Sequence, residues 1–151
     1  MMIISHRGNL NGPNPQRENM EDYIDEALNA GFQCEVDLWQ EKNKLYLGHD
    51  EPMYEVEYDF LASRGVHLIV HAKNFDALSY LYMTNLNYFW HQTDEYTLTS
   101  RCWIWIYPGN RPFNSYSIMA CPEDAGFYNR DDLPNIGGVC TDFPYNWTEK
   151  K

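Results

Sequence analysis

The chain has 151 residues, 44% of them hydrophobic and 16% aromatic, enough apolar material for one domain with a core and too much for a disordered segment. Its formal net charge of -11 argues against nucleic acid or an anionic membrane as the main partner and is compatible with a divalent cation. An anionic ligand would need a local positive site against that background.

Residues 2–5 are a short apolar run, read as a buried strand that ends in His6, Arg7 and Gly8. Residues 9–17 are rich in Asn, Gly and Pro and read as loop. A helix follows Glu18 and Asn19, with Met20, Tyr23, Ile24, Ala27 and Leu28 at helical spacing and Gly31 as its stop. Asn19 either caps that helix or reaches a site. The next strand spans 34–38. Strand, helix and strand in this length predict a βαβ unit whose two strands are parallel neighbours. On the second strand Glu35 and Asp37 share one face, while Cys34, Val36 and Leu38 take the other. Two carboxylates side by side repel unless a cation sits between them; a surface strand with solvated acids is the competing reading. Asn43 and Lys44 make a polar turn into a short strand at 45–47, followed by Gly48, His49 and Asp50.

An acidic, aromatic stretch at 51–58 leads to a short helix near 59–64, ended by Gly65. The third strand is placed at 66–72, with Ile69, His71 and Lys73 on one face. Asn74 caps a helix through Ala77, Leu78, Leu81 and Tyr82, and 88–91 form a fourth short strand. Segments 96–99 and 103–107 both read as strands with only Ser100, Arg101 and Cys102 between them. A parallel crossover needs about a dozen residues, so a hairpin or bent loop is predicted. Another strand at 117–121 ends at Pro122, residues 123–135 are acidic loop or one short helix, and the last strand, 138–141, runs into Asp142.

Reactive side chains thus gather at strand ends, where parallel α/β architectures build their active sites. No repeat, linker or low-complexity segment interrupts residues 1–151, so one domain is expected. Cys34, Cys102, Cys121 and Cys140 form no CxxC pair and read as buried free thiols. The N-terminal run turns polar too soon for a signal peptide, and no apolar run approaches membrane-spanning length; a cytoplasmic protein without membrane insertion is expected.

His6-Arg7-Gly8, Glu18-Asn19, Ala30-Gly31, Glu35-x-Asp37, Gly48-His49-Asp50, Lys73 and the closing segment 138–144 occur in one order and spacing. In them the chain resembles the glycerophosphodiester phosphodiesterase family, among the phosphatidylinositol-phospholipase-C-like phosphodiesterases. The likeness covers the first half and the closing strand and is faint from 85 to 135. It implies an α/β fold, a compact, shortened TIM-type (β/α) barrel with helices missing in the second half, since such barrels usually take about 250 residues. It also implies Glu35 and Asp37 as metal ligands, with His71 where the family has a third carboxylate. Oxygen ligands suit Mg²⁺ or Ca²⁺, and an imidazole shifts preference toward Mn²⁺ or Zn²⁺. Asp142 and His91 are alternative third ligands.

His6 and His49 take the acid/base roles in this reading, with Asp50 orienting His49. Arg7 and Lys73 bind the phosphoryl oxygens, and Asn19 joins them as a substrate-binding residue. The tryptophans Trp90, Trp103, Trp105 and Trp147 serve as core or pocket wall. The expected activity is metal-dependent hydrolysis of a glycerophosphodiester-like or other small phosphodiester. Two rivals stand beside it: a catalytically inactive relative that binds a phosphorylated ligand, and a phosphodiester-cyclising lyase of the sphingomyelinase D type.

Overall fold

Alternation along the strands decides which side chains face which way. A computed structural model describes residues 1–149. In chain order the elements are β1 (Met2–His6), α1 (Glu21–Asn29), β2 (Gln33–Glu41), β3 (Lys44–Leu47), β4 (Tyr54–Val56), α2 (Tyr58–Arg64), β5 (Leu68–Ala72), α3 (Phe75–Tyr82), β6 (Asn87–Trp90), β7 (Tyr96–Leu98), β8 (Ile104–Ile106), β9 (Ser117–Ala120) and β10 (Gly138–Thr141). Short 3-10 turns lie at Pro122–Ala125, Arg130–Asp132 and Pro144–Trp147.

The strands form one curled sheet, a half-barrel ordered β6-β5-β2-β1-β10-β9-β8-β7. All neighbours are parallel except β7, which folds back on β8 as a hairpin. A second hairpin, β3 and β4, continues from β2 beyond the end of β1, pairing Leu38 with Leu47 and Glu41 with Lys44. The turn that joins β2 to β3 is Lys42-Asn43, both at left-handed φ (48° and 64°), the geometry that matches strand twist in a two-residue hairpin. The two edges of the curl approach each other: Ser100 N–H, just after β7, donates to Tyr88 O of β6 at 2.7 Å, and Thr97 Oγ1 of β7 donates to Trp90 O of β6 at 3.0 Å.

A shortened TIM-type (β/α) barrel is therefore not what this chain forms. Among the described residues three α-helices serve ten strands, the antiparallel pairs β2–β3, β3–β4 and β7–β8 break the alternation, and no α-helix follows β6. The cause is local. The β8–β9 connection contains Pro108, Gly109, Asn110 and Pro112, and the β9–β10 connection contains Pro122, Gly126, Pro134 and Gly137. Proline and glycine at that density do not sustain a helix. β4 is a further difference, a strand within the stretch whose acidic residues had masked it.

Three apolar clusters follow from the alternation. Val36, Leu38, Leu68 and Val70 point out from the sheet onto Ile24 of α1, Leu61 of α2 and Leu81 of α3. Ile4, Ile69, Phe89, Trp105, Ile118 and Cys140 fill the inside of the curl. Met119 and Val139 face outward in the second half, where Leu133, Ile136 and Trp147, carried on loops and 3-10 turns, replace helices as cover. Cys34 and Cys140 are buried free thiols, whereas Cys102 is exposed. Among the described residues no helix is long and apolar enough to cross a membrane.

Candidate active site

One step along each inner strand from the apolar floor, the same face turns polar. The sheet register sets His6 beside Glu35 and Asp37 beside His71. A cavity of about 670 Å³ opens here. Six of the eight residues singled out in the sequence line it: His6, Arg7, Glu35, His49, His71 and Lys73. The other two, Asp37 and Asn19, are fully buried.

Asn19 is not a helix cap. The α1 N-cap is Met20, with no side-chain cap, and Asn19, at φ 66°, turns inward instead. Its Nδ2 donates to Asp37 Oδ2 at 2.9 Å, and its Oδ1 accepts the Asp37 backbone N–H at 2.9 Å. So Asn19 holds a carboxylate and stands behind the cavity lining.

Arg7 has a similar duty. Arg7 and Gly8 lie at φ 56° and 93°, a tight turn after β1. A Cβ at Gly8 would stand 2.8 Å from the Tyr23 ring and 3.0 Å from Tyr23 O, so glycine is required there. The turn brings Arg7 Nε to 3.0 Å from Asp37 Oδ2, while Nη1 donates to Glu18 Oε2 at 3.2 Å. Lys73 Nζ, 3.5 Å from Asp37 Oδ1, has no second acidic partner among the described residues and keeps donors for a ligand.

The carboxylates are 2% (Glu35) and 0% (Asp37) exposed. Burial would raise the Asp37 pKa, but His71, Arg7 and Lys73 together hold it far below the usual carboxylate range. Burial and then the Asp37 charge push Glu35 up. Glu35 Oε2 and Asp37 Oδ1 have no hydrogen-bond partner.

His71 explains those two free oxygens. Its Nε2 lies 3.1 Å from His91 O. A carbonyl only accepts, so Nε2 carries the hydrogen. The other ring nitrogen, Nδ1, faces Asp37 Oδ1 at 3.2 Å and Glu35 Oε1 at 3.8 Å. One ligand atom from each of Glu35, Asp37 and His71 falls within 4.8 Å of the others. Three acceptors that close repel one another unless a cation joins them or His71 takes a second proton. Two carboxylate oxygens and one second-atom-anchored imidazole are a donor set that fits a divalent metal.

His6 is oriented across the whole length of the chain. Its Nδ1 sits 2.8 Å from Asp142 Oδ1, which also accepts Asn9 Nδ2 at 2.9 Å. Asp142 is fixed in turn by its backbone N–H, 2.8 Å from Glu123 Oε1. The Asp142 carboxylate is thus a partner of His6, outside the Glu35-Asp37-His71 group. Burial lowers the His6 pKa, yet the hydrogen bond to Asp142, the Cys121 thiol at 3.7 Å and Glu35 carry it well above its ordinary value. With Nδ1 engaged, Nε2 remains for the cavity, 4.0 Å from Glu35 Oε2.

His49 comes from the β3–β4 hairpin. A Cβ at Gly48 would lie 2.2 Å from Glu51 O, and Trp39 Nε1 donates to Gly48 O at 2.7 Å; together they fix the bend that presents His49. Its Nδ1 lies 2.7 Å from Asp50 Oδ1, although Asp50 is almost fully exposed. Burial and the Arg7 charge, with Lys73 behind, move the His49 pKa below its ordinary value against the pull of Asp37.

Glu18, Asn9 and Glu123 are positioning groups, and of the three only Glu18 falls within the family-like motif. A scan against protein-family models gives no match, and neither does a search of curated proteins or of solved structures.

Proposed function

We propose that this protein is a metal-dependent hydrolase of a small phosphodiester. The observation that carries the reading is the Glu35-Asp37-His71 group: three possible ligand atoms within 4.8 Å, two buried carboxylate oxygens without hydrogen-bond partners, and an imidazole anchored at His91 O. Glu35, Asp37 and His71 would hold the metal, which when bound supplies Lewis-acid polarisation of a phosphoryl oxygen.

The chain's own residues supply the rest. Phosphodiester cleavage takes a proton from the attacking hydroxyl and returns one to the departing alkoxide. His6, held by Asp142, and His49, presented by the hairpin, are the cavity histidines assigned to these two proton transfers. Lys73 donates to a phosphoryl oxygen and stabilises negative charge that grows there. Arg7 acts one step back, keeping Asp37 ionised and in place.

The test is hydrolysis of bis(p-nitrophenyl) phosphate and of a glycerophosphodiester. EDTA should abolish turnover, and His49→Ala should cost about 10²- to 10⁴-fold in rate with an unchanged circular dichroism spectrum. Full activity in EDTA, or an undiminished His49→Ala variant, would refute the mechanism. Failure to cleave any member of a broad phosphodiester panel would remove the enzyme and leave a binding protein.

A further inference from the structure

The carboxyl ends of β9 and β10 bring two thiols together in a part of the cavity that the hydrolytic reading leaves unused. In the parallel register Cys140 of β10 pairs with Ala120, the last residue of β9. Cys121 follows, and its backbone N–H donates to Cys140 O at 2.7 Å. Neighbouring strands run about 4.8 Å apart, and a disulfide spans Cα separations of about 4.4–6.8 Å. The two backbones therefore already stand within bridging range.

Direction decides whether the side chains meet. Alternation along β9 puts Met119 in the outer cluster and Ala120 in the inner one, so an extended Cys121 would point outward. Cys121 instead sits at φ 40° and ψ 57°, the left-handed region that a Cβ disfavours, and this turn swings its thiol to the inner side. There it lines the cavity, with Sγ 3.7 Å from His6 Nδ1. Cys140 belongs to the inner cluster too, beside Ile4 and Ala120. The turn is held on both sides, the Cys121 N–H by Cys140 O and the Cys121 carbonyl by the Asp124 N–H at 3.0 Å. The other two cysteines are elsewhere. Cys34 packs in the outer cluster on β2, across β1 from Cys140, and Cys102 is exposed between β7 and β8.

Access sets the order of events. Cys140 is fully buried, whereas Cys121 is partly exposed at the cavity, so a small oxidant reaches Cys121 first. Burial raises the Cys121 pKa although His6 pulls the other way; thiolate is scarce and the reaction slow.

We propose that Cys121 and Cys140 are an oxidation site, where a hydroperoxide converts the two thiols into a disulfide on the floor of the cavity. The Cys121 sulfur attacks one peroxide oxygen, the O–O bond breaks, and the thiol proton leaves with the departing oxygen as water. The Cys140 sulfur then displaces the hydroxyl of the Cys121 sulfenic acid, and its proton leaves in a second water. Two thiols are oxidised by two electrons and one peroxide is reduced. The bond draws Cys121 Sγ away from His6 and leaves that ring to Asp142. None of this depends on the phosphodiesterase reading.

The test uses the folded Cys102→Ser protein, which lacks the exposed thiol that would couple two copies and keeps both thiols of the site. After hours in excess hydrogen peroxide, free thiols are blocked with N-ethylmaleimide and the chain is analysed by intact mass and unreduced peptide mapping. The chain should be about 2 Da lighter before blocking, take up two fewer maleimides, and yield a Cys121–Cys140 peptide pair that dithiothreitol separates. Adding Cys140→Ser should stop the reaction at a Cys121 sulfenic acid that dimedone captures, and adding Cys121→Ala should leave Cys140 reduced. A Cys121 that stays a free thiol, a Cys121 sulfinic acid beside an unreacted Cys140, or a disulfide between any other pair would overturn the site. Those outcomes are read on the protein with both native thiols, so they stand even where a core variant fails to fold.

Discussion

Replacing Asn19 by glycine separates a side-chain role from a backbone role. Asn19 is fully buried at φ 66°, a conformation glycine adopts freely, so Asn19→Gly removes the amide without straining the chain. Two bonds to Asp37 disappear, each 2.9 Å long. The Asp37 backbone N–H is then buried without an acceptor, at a cost of about 1–3 kcal/mol. The carboxylate loses one donor but keeps Arg7, and glycine adds about 0.5–1 kcal/mol through the freer unfolded chain. Together these predict a loss of about 2–4 kcal/mol in urea unfolding, a large part of a typical domain's stability of about 5–15 kcal/mol. Mn²⁺ affinity measured by calorimetry should fall about 10- to 100-fold, as expected when a group orienting a ligand is removed. Asn19→Ala should be worse than Asn19→Gly by about 1 kcal/mol, the left-handed penalty of a Cβ. A loss under about 1 kcal/mol in Asn19→Gly, with Mn²⁺ affinity unchanged, would show that Asp37 does not depend on Asn19.

Two further outcomes are expected. His71→Glu should bind Mg²⁺ and Ca²⁺ more tightly than wild type and lose relative preference for Mn²⁺ and Zn²⁺; affinities equal within error in calorimetric titrations would remove His71 from the ligand set. Gly48→Ala forces a Cβ to 2.2 Å from Glu51 O, so the hairpin must shift, lowering stability by about 1–3 kcal/mol and moving His49; a thermal melt and turnover that match wild type would contradict the close approach.

What the sequence told about this site came from periodicity. Glu35 and Asp37 on one face, with Val36 and Leu38 on the other, needed only the two-residue repeat of a strand, and the sheet keeps that division. The same repeat placed His71 and Lys73 together. The tight spacing around Ser100-Arg101-Cys102 ruled out a parallel crossover, and β7 and β8 are antiparallel. The failures involve contacts between distant segments. Nothing near Asn19 distinguishes a cap from a ligand for Asp37, because both use the same amide just before a helix. Asp142 was weighed as a third metal ligand because it ends a strand; its bond to His6 spans 136 positions and has no local signature. The barrel was inferred from motifs in the first half and extended over a second half whose prolines and glycines dictate loops.

The β3–β4 hairpin bears on how such a cavity can diversify. His6, Glu35, Asp37, His71 and Lys73 sit on or beside parallel strands, where a one-residue slip would turn an entire face around. His49 is carried on two short antiparallel strands that pair with the sheet along residues 38–41, with one further bond from Gly48 N–H to Asp37 O at 3.2 Å. Exchanges or insertions between 48 and 54 can therefore reshape one rim of the cavity while every parallel pairing stays in register. The hairpin is the replaceable part of the site, and the parallel strands are its permanent frame.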